Sequence, residues 1–188
     1  MKDNYQKKFH GDFVYTKRQL FCFKDGGKTY LDFMGDFVSR PILFIAPGLT
    51  SDSQTGYIRA MVRQAYARGF DVCVINYRGL AGCQLYTPKL FNSNAYMDVL
   101  EPIKEISAQN KDRKIFAVGC SMGANILANM LGYEGKVVDA AVIVQAPMKK
   151  WCCGEAIKTS LFGIYDKAMG ESLNKIMLRH EPVFREYF

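Results

Sequence analysis

Short apolar segments recur along the chain, and the first three are each followed by a stretch with the spacing of an amphipathic helix. The apolar segments are residues 41–46, 70–75, 114–118 and 137–144. They are continuous rather than alternating, which is typical of strands buried on both faces of a sheet. The helical stretches are residues 57–68, 96–107 and 122–132. This alternation predicts an α/β fold with a mainly parallel sheet covered by helices.

Two further strands are predicted ahead of this region, in residues 11–23 and 29–33, on either side of the Gly-rich segment 24–28. Such a segment between two strands is typical of a hairpin turn, so we expect an antiparallel hairpin at the start of the sheet. Gly69 stands where a helix C-cap glycine is expected. Pro102 predicts a late start for the following helix, because proline is tolerated in a first turn.

The composition narrows the class of protein. At 188 residues, with 49% hydrophobic and 23% charged side chains, the chain is predicted to form one globular domain rather than a disordered protein. Its apolar runs are far shorter than the roughly 20 residues that a membrane-spanning helix needs, so no transmembrane segment is predicted. The net charge of +7 is spread along the chain without a basic block. We therefore predict no nucleic-acid binding and leave peripheral membrane contact open.

The N-terminus lacks the apolar segment of a secretory signal, and the six cysteines show neither a disulfide framework nor metal-ligand spacing. We interpret them as reduced thiols of an intracellular protein, in the cytoplasm or an organelle, and predict no metal and no cofactor.

The sequence motif that indicates chemistry is Gly119-Cys120-Ser121-Met122-Gly123, a G-x-S-x-G pattern between a predicted strand and a predicted helix. This context is required for a nucleophile elbow, a sharp turn that exposes the serine hydroxyl. The helix N-terminus would then offer N–H groups and a positive dipole to an oxyanion. Ser121 is the predicted nucleophile; a glycine-rich turn without a catalytic role is the alternative. We interpret Cys120 as a small buried residue, with a redox role as its alternative.

A second oxyanion donor is expected in the loop after an earlier strand. Gly48 and Leu49 follow the strand at 41–46, and the N–H of Leu49 is predicted to join that of Met122 in binding a developing negative charge. The alternative is a plain turn between a strand and a helix.

Several segments together resemble a known family. They are Pro47-Gly48-Leu49-Thr50, the run Asn76-Tyr77-Arg78-Gly79-Leu80-Ala81-Gly82, Thr87-Pro88, Asp98, and Gly119 to Gly123. The chain resembles the YheT-like branch of α/β-hydrolases (AB-hydrolase family 4), above all its eukaryotic abhydrolase-domain lipases. The resemblance implies an α/β-hydrolase fold and an acyl ester or lipid substrate. It also implies that residues 1–150 form the N-terminal part of the core and residues 151–188 a helical lid, here of two short amphipathic helices.

The loop after the second buried strand has an interpretation of its own. Arg78 and Asp98 are predicted to form an ion pair that fixes the loop, with Asn76 and Thr87 bonded to its backbone. Gly79 and Gly82 are predicted to allow tight turns. A structural role for this group is favoured over substrate contact.

The partners of a serine nucleophile are not evident in the sequence. The resemblance implies that an acid and then a histidine follow from strands beyond the lid, and the chain's apolar strand pattern ends at residue 144. Of the two histidines, His10 precedes the core, and only His180 follows the elbow. His180 is a candidate base, with Glu181 or Asp166 as orienting acid; a surface or lid-packing histidine is the favoured alternative.

Two functions are consistent with this pattern. One is a serine esterase or lipase whose remaining triad residues lie elsewhere, so that residues 1–188 alone are inactive. The other is a truncated, inactive homologue that acts as an interaction subunit, with a partner protein covering the open edge of its sheet.

Overall fold

The computed structural model describes residues 14–187. The predicted strand residues 11–13, His10 and Phe188 lie outside that range. The strands are β1 (Lys17–Cys22), β2 (Lys28–Met34), β3 (Ile42–Ala46), β4 (Asp71–Ile75), β5 (Ile115–Cys120) and β6 (Ala140–Val144). The helices are α1 (Gly56–Ala67), α2 (Met97–Gln109), α3 (Met122–Glu134), α4 (Lys150–Thr159), α5 (Ile164–Arg179) and α6 (Glu181–Tyr187), with a 3₁₀ turn at Ser160–Gly163.

The six strands form one sheet in the order β1-β2-β4-β3-β5-β6. β1 pairs with β2 and β2 with β4 in antiparallel fashion, whereas β3 runs parallel to both β4 and β5, and β5 parallel to β6. The structure therefore confirms the predicted fold class, a mainly parallel sheet that begins with an antiparallel hairpin. The carboxyl ends of β3, β4 and β5 meet at one edge, where ligands bind in open α/β sheets.

The centre of the sheet is buried on both faces because its strands place successive side chains on opposite sides. Phe44 of β3 joins the larger core cluster with Ile103 of α2 and Leu127 of α3, whereas its neighbour Ile45 joins Ile58 and Val62 of α1. This explains the continuous apolar runs in the sequence. It also fixes the two loops that follow β3 and β5 beside each other.

The helix that contains Pro102 begins earlier than predicted. α2 starts at Met97, so Pro102 lies in its second turn rather than its first. The first turn is closed by bonds from the N–H groups of Val99 and Leu100 to the Tyr96 carbonyl. Proline only removes the N–H that would reach Asp98, a cost that the packing of a buried helix offsets. Gly69 does follow α1 in the left-handed conformation, with φ of +87°, as predicted.

The C-terminal segment has three helices, not the predicted two. A break at residues 161–163, all with positive φ, separates α4 from α5. Leu161 and Phe162 fit a helical spacing in the sequence, so the periodicity did not reveal this break. A further helix, α6, begins directly after His180, with Pro182 in its first turn, where proline is tolerated.

β6 is the last strand on its side of the sheet in the part of the chain that is described. Val142 is 59% exposed, and Ile143 and Val144 are also accessible. The predicted open edge is therefore present in the described residues. Among residues 14–187, no helix combines the length and apolar character needed to span a bilayer.

Candidate active site

Ser121 occupies the turn between β5 and α3. Its φ of 51° and ψ of −114° are strained for a residue with a side chain. Its N–H donates to the Val144 carbonyl at 2.9 Å, and its own carbonyl accepts the N–H of Asn125 at 3.0 Å. The side chain is exposed at the carboxyl edge of the sheet. This is the geometry of the predicted elbow.

The two glycines of the motif are required by close approach of backbone to backbone. A Cβ on Gly119 would stand 2.5 Å from the carbonyl oxygen of Gly123 and 2.7 Å from Cα of Ala124. A Cβ on Gly123 would overlap the carbonyl oxygens of Ala46 and Pro47. The elbow is therefore pressed against the end of β3, which places Ser121 next to the loop at residues 47–53.

Two residues that line the site have backbone N–H groups without an acceptor in the described part of the chain. Met122 is the first residue of α3, and the N–H groups of a helix's first turn have no acceptor within the helix. Within residues 14–187, neither the Leu49 nor the Met122 N–H has a protein acceptor. The Gly48 N–H, by contrast, donates to the Tyr57 hydroxyl at 2.8 Å. Leu49 and Met122 thus remain the predicted oxyanion donors.

The loop at residues 47–53 is fixed at both ends by buried hydrogen bonds. At its start the Tyr77 hydroxyl donates to the Pro47 carbonyl at 2.8 Å. At its end Ser53 is fully buried: its N–H donates to Asn76 Oδ1 at 2.9 Å and its hydroxyl to Asp32 Oδ2 at 2.5 Å. The backbone that carries the Leu49 N–H is therefore held in place before any ligand arrives.

Asn76 differs from its predicted role. Its side chain does not bond to the long loop that follows it, but to Ser53 and, through Nδ2, to Asp32 Oδ2 at 2.9 Å and the Tyr30 carbonyl at 3.1 Å. Asp32 is paired with Arg18 through two contacts of 2.7 Å. Burial alone would raise the pKa of Asp32, but the hydrogen bonds from Arg18, Ser53 and Asn76 outweigh it and lower that pKa.

The predicted ion pair of Arg78 and Asp98 is confirmed. Arg78 is 2% exposed, and its Nε and Nη2 lie 2.6 and 2.8 Å from the two carboxylate oxygens of Asp98. Asp25 of the hairpin turn is a further partner that no local sequence signal indicates, and its Oδ1 lies 2.9 Å from Arg78 Nη1. Burial acts to raise the pKa of Asp25, but the bonds from Arg78 and Lys89 lower it.

The glycines of this loop adopt the predicted tight turns. Gly79 and Gly82 have φ values of +77° and +79°. Thr87 lies against the hairpin instead, with Cγ2 3.8 Å from the position of a Cβ on Gly26. No bond from its side chain to the loop backbone is present in the described part of the chain.

His180 packs against this loop. The ring is buried, and its Nε2 lies 2.8 Å from the Gly79 carbonyl oxygen, so this nitrogen is engaged in a hydrogen bond to the loop. Glu181 is paired with Arg185 at 2.6 Å, and Asp166 is exposed. These contacts favour the lid-packing interpretation of His180 over a role as base.

Two clefts meet at Ser121, and Leu49 and Met169 border both. The first, of about 360 Å³, lies beneath α4 and α5. Its lining is mostly apolar and includes Leu90, Phe91, Met122, Ile157 and Leu173. The second, of about 550 Å³, carries more hydroxyl and amide groups: Thr50, Ser51, Tyr57 and Gln145. The arrangement suits an ester with an apolar side and a more polar side.

Cys120 lines the second cleft but is buried, and burial raises the pKa of its thiol. A thiol with a raised pKa is a poor nucleophile and a poor redox centre at neutral pH. The structure therefore agrees with the interpretation of Cys120 as a packed small residue.

Comparison with known proteins places this geometry in a family. Residues 41–161 match the family described as alpha/beta hydrolase fold. The chain belongs to this family. Among solved structures, the Pyrococcus furiosus esterase Pf2001 superposes with a TM-score of 0.69 at 18% identity, over 88% of this chain and 62% of the esterase. At that identity the likeness concerns the fold.

Curated relatives extend the similarity to sequence. The Embryogenesis-associated protein EMB8 of Picea glauca is 29% identical over 91% of this chain and 41% of its own length. The Monoacylglycerol lipase of Saccharomyces cerevisiae is 29% identical over 79% of this chain and 34% of its own length. The predicted resemblance to abhydrolase-domain lipases is confirmed. The chain spans less than half the length of these relatives.

Proposed function

We propose that Ser121 is the nucleophile of a serine hydrolase that cleaves carboxylic esters of lipids. The observation that carries the proposal is the convergence at Ser121 of a strained elbow, two N–H groups without internal acceptors and an apolar cleft. Each is costly or unusual by itself, and together they suit attack on an acyl group.

The proposed first step is acyl transfer. Ser121 Oγ forms a bond to the ester carbonyl carbon, the carbonyl π pair moves onto oxygen, and the hydroxyl proton passes to a general base. The oxyanion accepts hydrogen bonds from the N–H groups of Leu49 and Met122. The alkoxide then leaves with a proton from the same base, and water releases the acyl group from the serine.

The base in this proposal is an imidazole that residues 14–187 do not place against Ser121. His180 is committed to Gly79, as described above. We therefore expect the chain by itself to be very slow, since an oxyanion hole and a binding site without a triad leave about 10³-fold catalysis over water in well-studied serine proteases.

The substrate class rests on the apolar cleft and on the relatives. An acyl chain would lie beneath α4 and α5 among the apolar side chains of Phe91, Ile157 and Leu173. One curated relative is named Monoacylglycerol lipase, which supports a lipid ester as the substrate.

Labelling with a fluorophosphonate tests the nucleophile. We expect the native protein from its source to label at one serine, and the Ser121→Ala variant to lose that label. Ser93→Ala is the matched control, because Ser93 lines the same cleft but stands outside the elbow. Equal labelling of wild type and Ser121→Ala removes Ser121 from the mechanism.

A second function is favoured by one specific observation, the exposed apolar strand β6. In this alternative the chain is an inactive homologue whose sheet edge is covered by a partner protein. Isolation of the native protein in a stable complex, with no label at Ser121, would support it over the enzyme.

A further inference from the structure

We propose that the Tyr57 hydroxyl is a third hydrogen-bond donor to the oxyanion formed at Ser121. This inference rests on the proposed function and adds a catalytic residue to it. It assigns a chemical role to a side chain on α1, a helix that contributes neither the elbow nor the two backbone donors.

The hydrogen bond between Gly48 and Tyr57 has a defined direction. The Gly48 N–H donates to the Tyr57 hydroxyl oxygen at 2.8 Å, so Tyr57 acts here as an acceptor. A phenol has one hydrogen of its own to donate. Within residues 14–187 that hydrogen has no protein acceptor.

Tyr77, which follows β4 and bonds to the same loop, provides the contrast. Its hydroxyl is buried and donates to the Pro47 carbonyl at 2.8 Å, so its hydrogen is used within the protein. One tyrosine thus holds the loop through a carbonyl, and the other holds it through an N–H. Of these two hydroxyls, that of Tyr57 keeps its hydrogen available to a ligand.

The Tyr57 hydroxyl and Ser121 both lie next to Gly48. A Cβ placed on Gly48 would stand 3.2 Å from the Tyr57 hydroxyl oxygen and 3.4 Å from Cβ of Ser121. Both groups are therefore in contact with the same point beside the elbow. Tyr57 and Ser121 also line the same cleft, together with Leu49.

The N–H groups of the adjacent residues Gly48 and Leu49 differ in their partners. Tyr57 engages the Gly48 N–H, whereas the next one, that of Leu49, has no protein acceptor within residues 14–187. An N–H that donates to a phenol oxygen polarises the phenol and strengthens its own donation. Gly48, Tyr57 and the oxyanion would thus form one chain of hydrogen bonds.

A boronic acid tests this donor without a general base. Ser121 Oγ donates an electron pair to the boron of octylboronic acid, a B–O bond forms, the hydroxyl proton goes to buffer, and boron becomes a tetrahedral anion. One of its oxygens then stands where the oxyanion would. The adduct is observed by ¹¹B NMR and its dissociation constant by titration at fixed pH.

The variant is Tyr57→Phe, which keeps the ring of a residue that is 41% exposed and so should leave the fold intact. We expect the dissociation constant of the adduct to rise about 10- to 100-fold, as for loss of a hydrogen bond to a charged group. Tyr66→Phe removes the hydroxyl of a residue on the same helix that is 38% exposed. This change should leave the dissociation constant the same.

A neutral ligand distinguishes hydrogen-bond donation to the anion from support of the loop at residues 47–53. Binding of 1-octanol, which forms no anion, should be the same in wild type and Tyr57→Phe. Equal weakening of octanol and boronate, or no effect on boronate, overturns the role of Tyr57 while the Ser121-dependent adduct remains. If wild type forms no adduct that Ser121→Ala abolishes, the proposed function fails and this inference fails with it.

Discussion

Gly123 shows most directly how a single residue determines the site. Because a Cβ there would overlap the Ala46 and Pro47 carbonyl oxygens, Gly123→Ala must push α3 away from β3. We expect a loss of about 1–3 kcal/mol in the free energy of unfolding, together with loss of boronate binding at Ser121. Chemical denaturation and the ¹¹B titration measure the two effects.

Gly132→Ala is the control for this prediction. It lies on the same helix, with nothing within 4 Å of its added Cβ, so the change should be neutral or stabilise by up to about 1 kcal/mol through helix propensity. If Gly123→Ala is as stable as Gly132→Ala, the elbow is not pressed against β3 as described.

Asp32, which holds the loop at residues 47–53 through Ser53, makes the free energy of unfolding depend on pH. Its pKa is lowered in the folded protein, so the unfolded chain takes up a proton first as the pH falls. The stability that Asp32 contributes is thus present above the unfolded pKa of about 3.9 and is lost as the pH falls through the lower folded value. We expect Asp32→Asn to unfold more easily at pH 7 and to show a smaller further loss between about pH 5 and 3.

Denaturation at several pH values checks this expectation, and Asp166→Asn, at an exposed position on α5, is the control. An unchanged acid slope in Asp32→Asn would show that other carboxylates dominate the acid response. The sequence alone did not reveal Asp32, because its partners Ser53 and Asn76 are distant in the chain and local periodicity carries no information on such pairs.

At the scale of elements, His180, directly after α5, joins the C-terminal helices to the loop after β4. Gly79 has φ of +77°, and a Cβ there would come within 2.8 Å of His180 Nε2 and 2.9 Å of Leu90 Cδ1. We expect Gly79→Ala to release α5 and α6 from the core. Hydrogen exchange over residues 164–187 should rise markedly while exchange of the sheet stays the same.

Gly82→Ala is matched to this variant, because its φ of +79° imposes the same strain while nothing lies within 4 Å of its added Cβ. Both variants should lose a similar free energy of unfolding through backbone strain. Gly79→Ala alone of the two should raise hydrogen exchange in α5 and α6. Similar exchange in both would mean that His180 does not hold α5 and α6 on the core.

Among these elements, those with local sequence signals could be predicted. The strands at 41–46 and 114–118 and the elbow between β5 and α3 were predicted because continuous apolar runs, a helical period and a G-x-S-x-G motif are local signals. The break at Phe162, the third helix α6 and the approach of Asp25 to Arg78 were not. The break and α6 contain no buried residues, so no apolar pattern marks their bounds. The Asp25–Arg78 pair joins residues that are distant in the chain, and local spacing carries no information on such a pair.

At the scale of the whole molecule, the sheet is well covered in its middle and open at β6. Val142 is 59% exposed on a strand that pairs only with β5 among the described residues. An uncovered apolar edge of this kind promotes pairing with another chain. Residues 1–188 expressed alone should therefore self-associate or retain a partner, whichever of the two functions applies.

A charge on the edge tests this expectation. Val142→Lys should lower the associated fraction of the purified protein in light scattering at micromolar concentration, because a lysine on an edge strand opposes pairing. Val38→Lys adds the same charge at a side chain that is 74% exposed outside the sheet, so it should leave association unchanged. If both variants have the same effect, net charge and not the β6 edge governs association. A wild-type protein that is monomeric throughout would show that this edge is covered within the native molecule or does not pair.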